Sequence, residues 1–431
     1  MFSTAADIVY FSHWFFILIA IGFSWIRSRH ILHPHFIFTT IICVFLTDFL
    51  IRGYNDKNLI NIEESNIYTY QSIILFIFSI TIFITWFIGG SKLRENLNFF
   101  SRSFNISNKT AQIILLLAWV ILIIEIIKRF SAVNWSLISV IEEYFYARGQ
   151  KTWEISSYSG NFIYTLIRAI LPFSGLAFAF IIANRTGIKR ISASLGFIAV
   201  LILLLGNGSR TPVVMCIGVL WFYLVLKIKS KIKRITITGA FFTVVAMLTS
   251  TMYLFRSEGY AESGKSFEFI YHQDDSYYRT IFSYDYSNQS GEHWDGLFYI
   301  YAIIVNPIPR ALWPDKPLLD EDFYGGFKVW YTTHLYLGEI VSIFGVIWSI
   351  PIGVLMGVIF YYILYKSTAL LKYPMGIGAY LIMALYTYMC MRGMQNMMIF
   401  IYLPLFTSLS VILFNSFQKR STTPRSRIKI D

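Results

Sequence analysis

Residues 203–214, LLLGNGSRTPVV, close one long apolar run and open another, with Arg210 at the junction. Gly206 and Gly208 let the backbone turn tightly and Pro212 suits the first turn of a following helix, so the stretch reads as a short turn between two helices. The same pattern recurs in both directions along the chain. Apolar runs of roughly 16 to 25 residues, the length that crosses a bilayer, alternate with polar connections. The chain has 431 residues, of which 56% are hydrophobic and 14% charged. A soluble domain carries about 25% charge and spreads polar residues throughout its elements. The expected fold class is therefore an all-α polytopic integral membrane protein.

Eleven spanning helices are expected, near residues 8–26, 36–51, 71–89, 111–127, 161–183, 191–206, 212–226, 235–255, 337–365, 375–391 and 398–416. The run 297–305 is too short to span and reads as interfacial or re-entrant. The first helix lacks a basic leader, carries Asp7 and ends at Arg27, so it reads as retained. Cys43, Cys216 and Cys390 each lie in an apolar run without metal-like or disulfide-like spacing, and are expected to be packing residues. No repeat at a fixed period is found.

The connections sort by charge. Alternate ones hold RSRH at 27, SKLRENLNFFSRSFNISNK at 91, NRTGIKR at 184, KIKSKIKR at 227, the pair Lys366 and Lys372, and the basic tail. Together they carry more than half of the 36 basic residues but only Glu95 and Asp431 of the 24 acidic ones. Cytoplasmic loops show this bias, and the formal charge of +12 is thereby assigned to anionic headgroups rather than to nucleic acid. The remaining connections then lie outside: 52–70, 128–160, 207–211, 256–336 and 392–397. Residues 1–431 form one membrane domain, with 256–336 inserted as a large external loop in which acidic residues outnumber basic ones. A loop of that length is usually functional.

The external face carries Arg148, Arg210, Arg256, Arg279, Arg310 and Arg392. A guanidinium forks onto phosphate, so arginines from separate loops can converge on a diphosphate; the competing account is that each snorkels or pairs locally. GNGSRT is not a dinucleotide fingerprint, because Thr211 stands where the third glycine would be. His334 and Glu339 fall where the long loop re-enters the membrane. There a shielded imidazole or carboxylate can act as general base, although Glu339 equally suits a helix N-terminus. The loop is also rich in aromatics, Tyr277, Tyr278, Tyr284, Tyr286 and Trp294 among them, which suits either sugar stacking or an interfacial belt. Asp320 and Asp322 resemble a metal-binding pair but read as solvated acids, and His30, His33 and His35 read as inner-face headgroup contacts. Within spans, Glu125 is expected to pair with Arg168.

The segment NPIPRALWPDKP, residues 306–317, followed by GEIVSIFGVIWSIPIGVLMG from Gly338, resembles the second half of Wzy-type O-antigen polymerases. In that family a proline-rich segment of the large periplasmic loop precedes a Gly/Glu-bearing helix start, and an earlier turn like GNGSRTP carries an arginine. The resemblance implies a GT-C-like glycosyltransferase of the bacterial inner membrane, multi-pass and with its active site facing the periplasm. It would polymerise undecaprenyl-pyrophosphate-linked oligosaccharide repeat units into O-antigen or a related surface polysaccharide. Arg210, Arg279 and Arg310, supported by Arg148, Arg256 and Arg392, would bind the pyrophosphate, and Glu339 or His334 would serve as base. No cofactor and no metal are implied; the partners are the lipid-linked oligosaccharides, membrane lipids and a chain-length regulator. A lipid-linked oligosaccharide flippase and an O-antigen ligase stand as alternatives. A flippase would show internal symmetry between halves and charges lining the middle of several helices, and this chain shows little of either.

Overall fold

The structure is a computed structural model that describes residues 4–28, 32–52, 62–88, 108–132, 135–136, 162–206, 210–228, 276–291, 293–305, 334–373 and 376–394, with isolated positions at 230–247, 308, 313 and 397–409. Among these residues every element is helical. In chain order they are α1 (Thr4–Ser28), α2 (Pro34–Arg52), α3 (Glu64–Phe87), α4 (Asn108–Ala132), α5 (Phe162–Asn184), α6 (Ile188–Gly206), α7 (Arg210–Lys227), α8 (Ser276–Ser290), α9 (Gly296–Val305), α10 (Tyr336–Ser367) and α11 (Gly376–Met391). Among the described residues, four stretches are long and apolar enough to cross a membrane: Ile8–Ser28, Ser65–Phe87, Asn108–Ser131 and Tyr336–Leu371. Nine of the expected runs coincide with a helix. Of the other two, 235–255 is helical at 235–241, and 398–416 lies largely outside the described residues.

The chain divides into two compact units. The first comprises Met1–Arg102, Ile270–Lys372 and Ile382–Leu405. At one end of this unit the C-termini of α1 and α3 meet the start of α2. Ser24 donates to His35 Nδ1 at 2.7 Å, His35 Nε2–H donates to the Ile82 carbonyl at 3.1 Å, and Phe23 stacks on Trp86 at 3.7 Å. Arg27 lies 5.6 Å over the same Trp86 ring, and Tyr361 of α10 donates to the Ile88 carbonyl at 2.9 Å. His35 thus pins helices together, and His33, also buried, accepts the His35 N–H at 3.2 Å; both are buried where headgroup contacts were expected. His30 lies outside the described residues. Along the α3–α10 contact, a methyl group at Gly353 would stand 3.3 Å from Ile77 of α3, and one at Gly357 2.7 Å from Thr81. Small residues four apart let the two backbones approach, a common device of membrane helices.

The second unit comprises Ser103–Phe269, Tyr373–Leu381 and Phe406–Asp431. Here α5 packs between α4, α6 and α7. A methyl group at Gly196 of α6 would fall 2.5 Å from the Phe178 ring of α5, and one at Gly175 2.7 Å from Cys216 Sγ of α7. Trp119 of α4 donates to Ser192 Oγ at 3.0 Å. Glu125, fully buried in α4, pairs with Arg129 one turn on, at 2.9 Å. The partner seen for Glu125 is therefore Arg129, whereas Arg168 was expected; the Arg168 side chain lies outside the described residues. The three cysteines are buried and unpaired, consistent with packing.

Candidate functional site

Helix α8 is the least apolar of the described α-helices in composition, SYYRTIFSYDYSNQS, yet nine of its fifteen residues are buried. It is placed by what its hydroxyls can satisfy. Thr280 Oγ1 donates to the Ser276 carbonyl at 2.8 Å and accepts the Leu335 N–H at 3.0 Å. Tyr277 donates to His13 Nε2 at 2.7 Å, because His13 Nδ1–H is committed to the Val9 carbonyl at 2.8 Å. Tyr284 shares a 2.9 Å hydrogen bond with Ser349. Burial pushes the Tyr284 phenol well above its ordinary range, so it stays a neutral hydrogen-bonding group. Tyr277, Tyr278, Tyr284 and Trp294 are buried within the first unit. Their side chains pack inside the fold, and Tyr286 beside them is half-buried.

Helix α10 is broken at Gly345, whose φ of 76° and ψ of 174° suit glycine alone. The break frees the carbonyls of residues 341 and 342 from their helical donors. Ser287 Oγ supplies a bond to the Val341 carbonyl at 3.2 Å, and the Trp294 N–H one to the Ser342 carbonyl at 2.8 Å. The chain leaving α8 is thereby wedged into the break. A small cluster of Trp294, Tyr299 and Ile343, flanked by Tyr286, Ile303 and Met394, closes over it. The piece of α10 before the break, residues 336–343, is buried throughout. The piece beyond it, residues 346–367, extends about 33 Å at 1.5 Å per residue and by itself matches the thickness of a hydrocarbon core.

Four of the expected site residues have described side chains, and all four lie in the first unit where α8, the start of α10 and the end of α11 meet. His334 directly precedes α10, is 5% exposed, and lies 6.0 Å from the Trp294 ring. Glu339, in the first turn of α10, is 1% exposed and accepts a short hydrogen bond from the Met394 N–H. Arg392 directly follows α11, and Gly393, with φ of 152°, turns the chain so that Met394 reaches Glu339. Arg279 sits one residue from Thr280, the contact of the 334–335 segment, and both arginines are half-buried. Gly338 makes the approach possible, since a methyl group there would stand 2.9 Å from His334 Cβ and 3.1 Å from Ser283 Oγ.

Arg210 is the first residue of α7, in the second unit, and its side chain lies outside the described residues. Pro212 falls in the first turn, as its φ preference requires. Arg148, Arg256, Arg310, Asp320 and Asp322 also lie outside the described residues. Among the described residues no group of three or more metal-ligating side chains is present.

One cluster had no counterpart in the sequence reading. Asp285 of α8 is 8% exposed; its Oδ2 accepts from Gln289 at 2.8 Å, and its Oδ1 faces Asn66 at 3.5 Å and Tyr70 at 3.4 Å, both from the start of α3. Burial raises its carboxyl above the usual range, with the three hydrogen bonds acting in the opposite sense. The only advance signal is the polar spacing Asp285, Asn288, Gln289 on a helix that otherwise alternates tyrosine and serine.

In comparison with known proteins, no family model, no curated protein and no solved structure matches this chain.

Proposed function

We propose that the chain is a membrane-embedded glycosyltransferase that polymerises undecaprenyl-pyrophosphate-linked oligosaccharide repeat units at the periplasmic face of a bacterial inner membrane. The observation that carries this reading is the junction of α8, α10 and α11. It gathers a buried carboxylate, a buried imidazole and two arginine-bearing segments above a helix break, beyond which a bilayer-length apolar helix begins. The resemblance of residues 306–317 and of the segment from Gly338 to Wzy-type polymerases supports the same reading.

In this reading the acceptor hydroxyl of the incoming repeat unit attacks the anomeric carbon of the growing chain. The bond from that carbon to the pyrophosphate oxygen breaks, and undecaprenyl pyrophosphate departs with the bonding pair. The acceptor proton passes to His334 or Glu339, a transfer worth typically 10²- to 10⁴-fold. Arg279 and Arg392 stabilise the charge that grows on the pyrophosphate, and Arg210, Arg310, Arg148 and Arg256 are the further candidates for that task. Glu339 has a second duty, since its bond to the Met394 N–H fixes the segment that carries Arg392.

The test uses purified protein in proteoliposomes supplied only with lipid-linked repeat units. The wild type should build a ladder of lengthening glycans. Arg279→Ala and Arg392→Ala should each slow it about 10²-fold or more, and His334→Ala and Glu339→Gln should separate the base from the positioning residue. Translocation of intact repeat units without a ladder would overturn the reading in favour of a flippase, and transfer to lipid A core alone in favour of a ligase.

A further inference from the structure

We infer that the polar cluster between the start of α3 and the end of α8, centred on Asp285, is a subsite that binds hydroxyl groups of a sugar ring in the lipid-linked oligosaccharide. This deepens the proposed polymerase reading and rests on it for the identity of the glycan. Three features of the cluster point to such a ligand. First, the residues are a carboxylate, two amides and a phenol: Asp285, Asn66, Gln289 and Tyr70, with the Asn288 side chain hydrogen-bonded to Tyr70. Vicinal hydroxyls both donate and accept, and such a set offers both partners. Second, the carboxylate is not fully served. Gln289 holds Oδ2 at 2.8 Å, but Asn66 and Tyr70 stand 3.5 and 3.4 Å from Oδ1, near the limit of a hydrogen bond. A hydroxyl that displaces either of them would bond to Oδ1 at a normal distance.

Third, no cation pairs with Asp285 among the described residues, although it is 8% exposed. Among these residues its charge is met by hydrogen-bond donors alone, a role that a sugar hydroxyl can share. The rim is open, because Asn288, Gln289 and Glu63 are exposed. Residues 283 and 287 face the start of α10 while Asp285 lies on the opposite side of α8. The subsite is therefore separated from Glu339 by about a helix diameter of 10–12 Å, and it would hold a ring remote from the reacting bond. Such contacts contribute binding that the reacting centre uses.

The probe is the free oligosaccharide released by mild acid from the host's own lipid-linked repeat units, measured by saturation-transfer NMR on the purified full chain. Wild type should bind it, Gly22→Ala in α1, where a methyl group meets nothing within 4 Å, should bind it equally, and Asp285→Asn should bind about tenfold more weakly or worse. Asp285→Asn should at the same time resist SDS unfolding as well as or better than wild type, which a merely structural role would not allow. Absence of binding to wild type, unchanged affinity in Asp285→Asn, or a parallel loss of stability each overturns the inference. Ladder assays on the same preparation keep the two readings apart. Ladders without oligosaccharide binding defeat the subsite alone; binding without ladders defeats the polymerase and leaves a glycan-binding cluster.

Discussion

Replacing Gly345 by alanine tests the geometry on which the candidate site depends. Gly345 has φ 76° and ψ 174°, a region essentially closed to residues with a Cβ, and occupying it costs about 1–3 kcal/mol. The added methyl would also stand 3.2 Å from His293 Cε1 and 3.4 Å from Nε2, contacts that the exposed imidazole relieves by swinging away. The chain can escape the strain by straightening α10. Doing so restores two helical bonds but abandons the Trp294 N–H to Ser342 bond and the Ser287 Oγ to Val341 bond. A buried N–H left without an acceptor costs about 1–3 kcal/mol, so neither route avoids the loss. The expected penalty of 1–3 kcal/mol corresponds to about a fivefold to hundredfold shift toward the unfolded state. The assay is unfolding in mixed micelles against SDS mole fraction, with Gly22→Ala as the matched control, because a methyl group there meets nothing within 4 Å. Straightening would also swing Glu339 away from Met394, so glycan-ladder formation should fall further than stability alone accounts for. If Gly345→Ala unfolds at the same SDS fraction as Gly22→Ala, the break is not a strained, structure-bearing feature, and the account of how Glu339 is positioned fails.

Two further outcomes are expected. Asp285 has a folded-state pKa above its ordinary 3.8, so the folded chain holds a proton that the unfolded chain has already released. Stability should therefore fall as pH rises from about 4 through the folded-state value and stay lowered above it. SDS-unfolding profiles of wild type and Asp285→Asn should show the variant lacking this component. In the second unit, Gly196→Val places a branched side chain where a single methyl already falls 2.5 Å from the Phe178 ring. Overpacking of this kind costs about 1–3 kcal/mol, and limited proteolysis of the purified variant should cut faster between α5 and α6 than in wild type.

The long apolar elements were legible because hydropathy over a helix's length is a local property. The runs near 8–26, 71–89, 111–127 and 337–365 all proved to be helices; three extend past both ends of the apolar stretch, and α3 begins seven residues before its run and ends at Phe87. What hydropathy could not reveal was the break inside α10. Gly345 and Pro351 stand in an unbroken apolar run, and only the conformation of Gly345 shows that Glu339 lies on a separate, buried piece. Helix α8 was hidden for the opposite reason. Its tyrosines and serines read as an exposed loop, because burial of a polar helix depends on partners far away in sequence: His13, Asn66, Tyr70 and Ser349. The choice of Glu339 and His334 came from their position at a membrane re-entry, and both are buried where three elements meet. Glu125 pairs with Arg129, a neighbour one helical turn away that needs no tertiary contact, while the Arg168 side chain lies outside the described residues.

The polar layer above the break also bears on why a chain that is 56% hydrophobic spends a helix on hydroxyls and amides. Lipid supplies no hydrogen bonds, so irregular backbone is tolerated only where protein satisfies it. A broken helix carrying Glu339 therefore requires a companion that brings donors to the carbonyls of residues 341 and 342, and α8 with the turn to Trp294 does this. The same companion presents Arg279 on a half-buried face and keeps bulk water from His334 and Glu339. In such surroundings a guanidinium interacts with a diphosphate more strongly than it would in water. Arg279→Lys separates that account from simple charge placement. Lysine retains the charge but lacks the planar fork, so if bidentate contact with phosphate is what Arg279 provides, ladder formation should remain close to that of Arg279→Ala. Full activity in Arg279→Lys would show that only a nearby positive charge is needed, and Arg279 would then act through the field of the site rather than by direct recognition of the pyrophosphate.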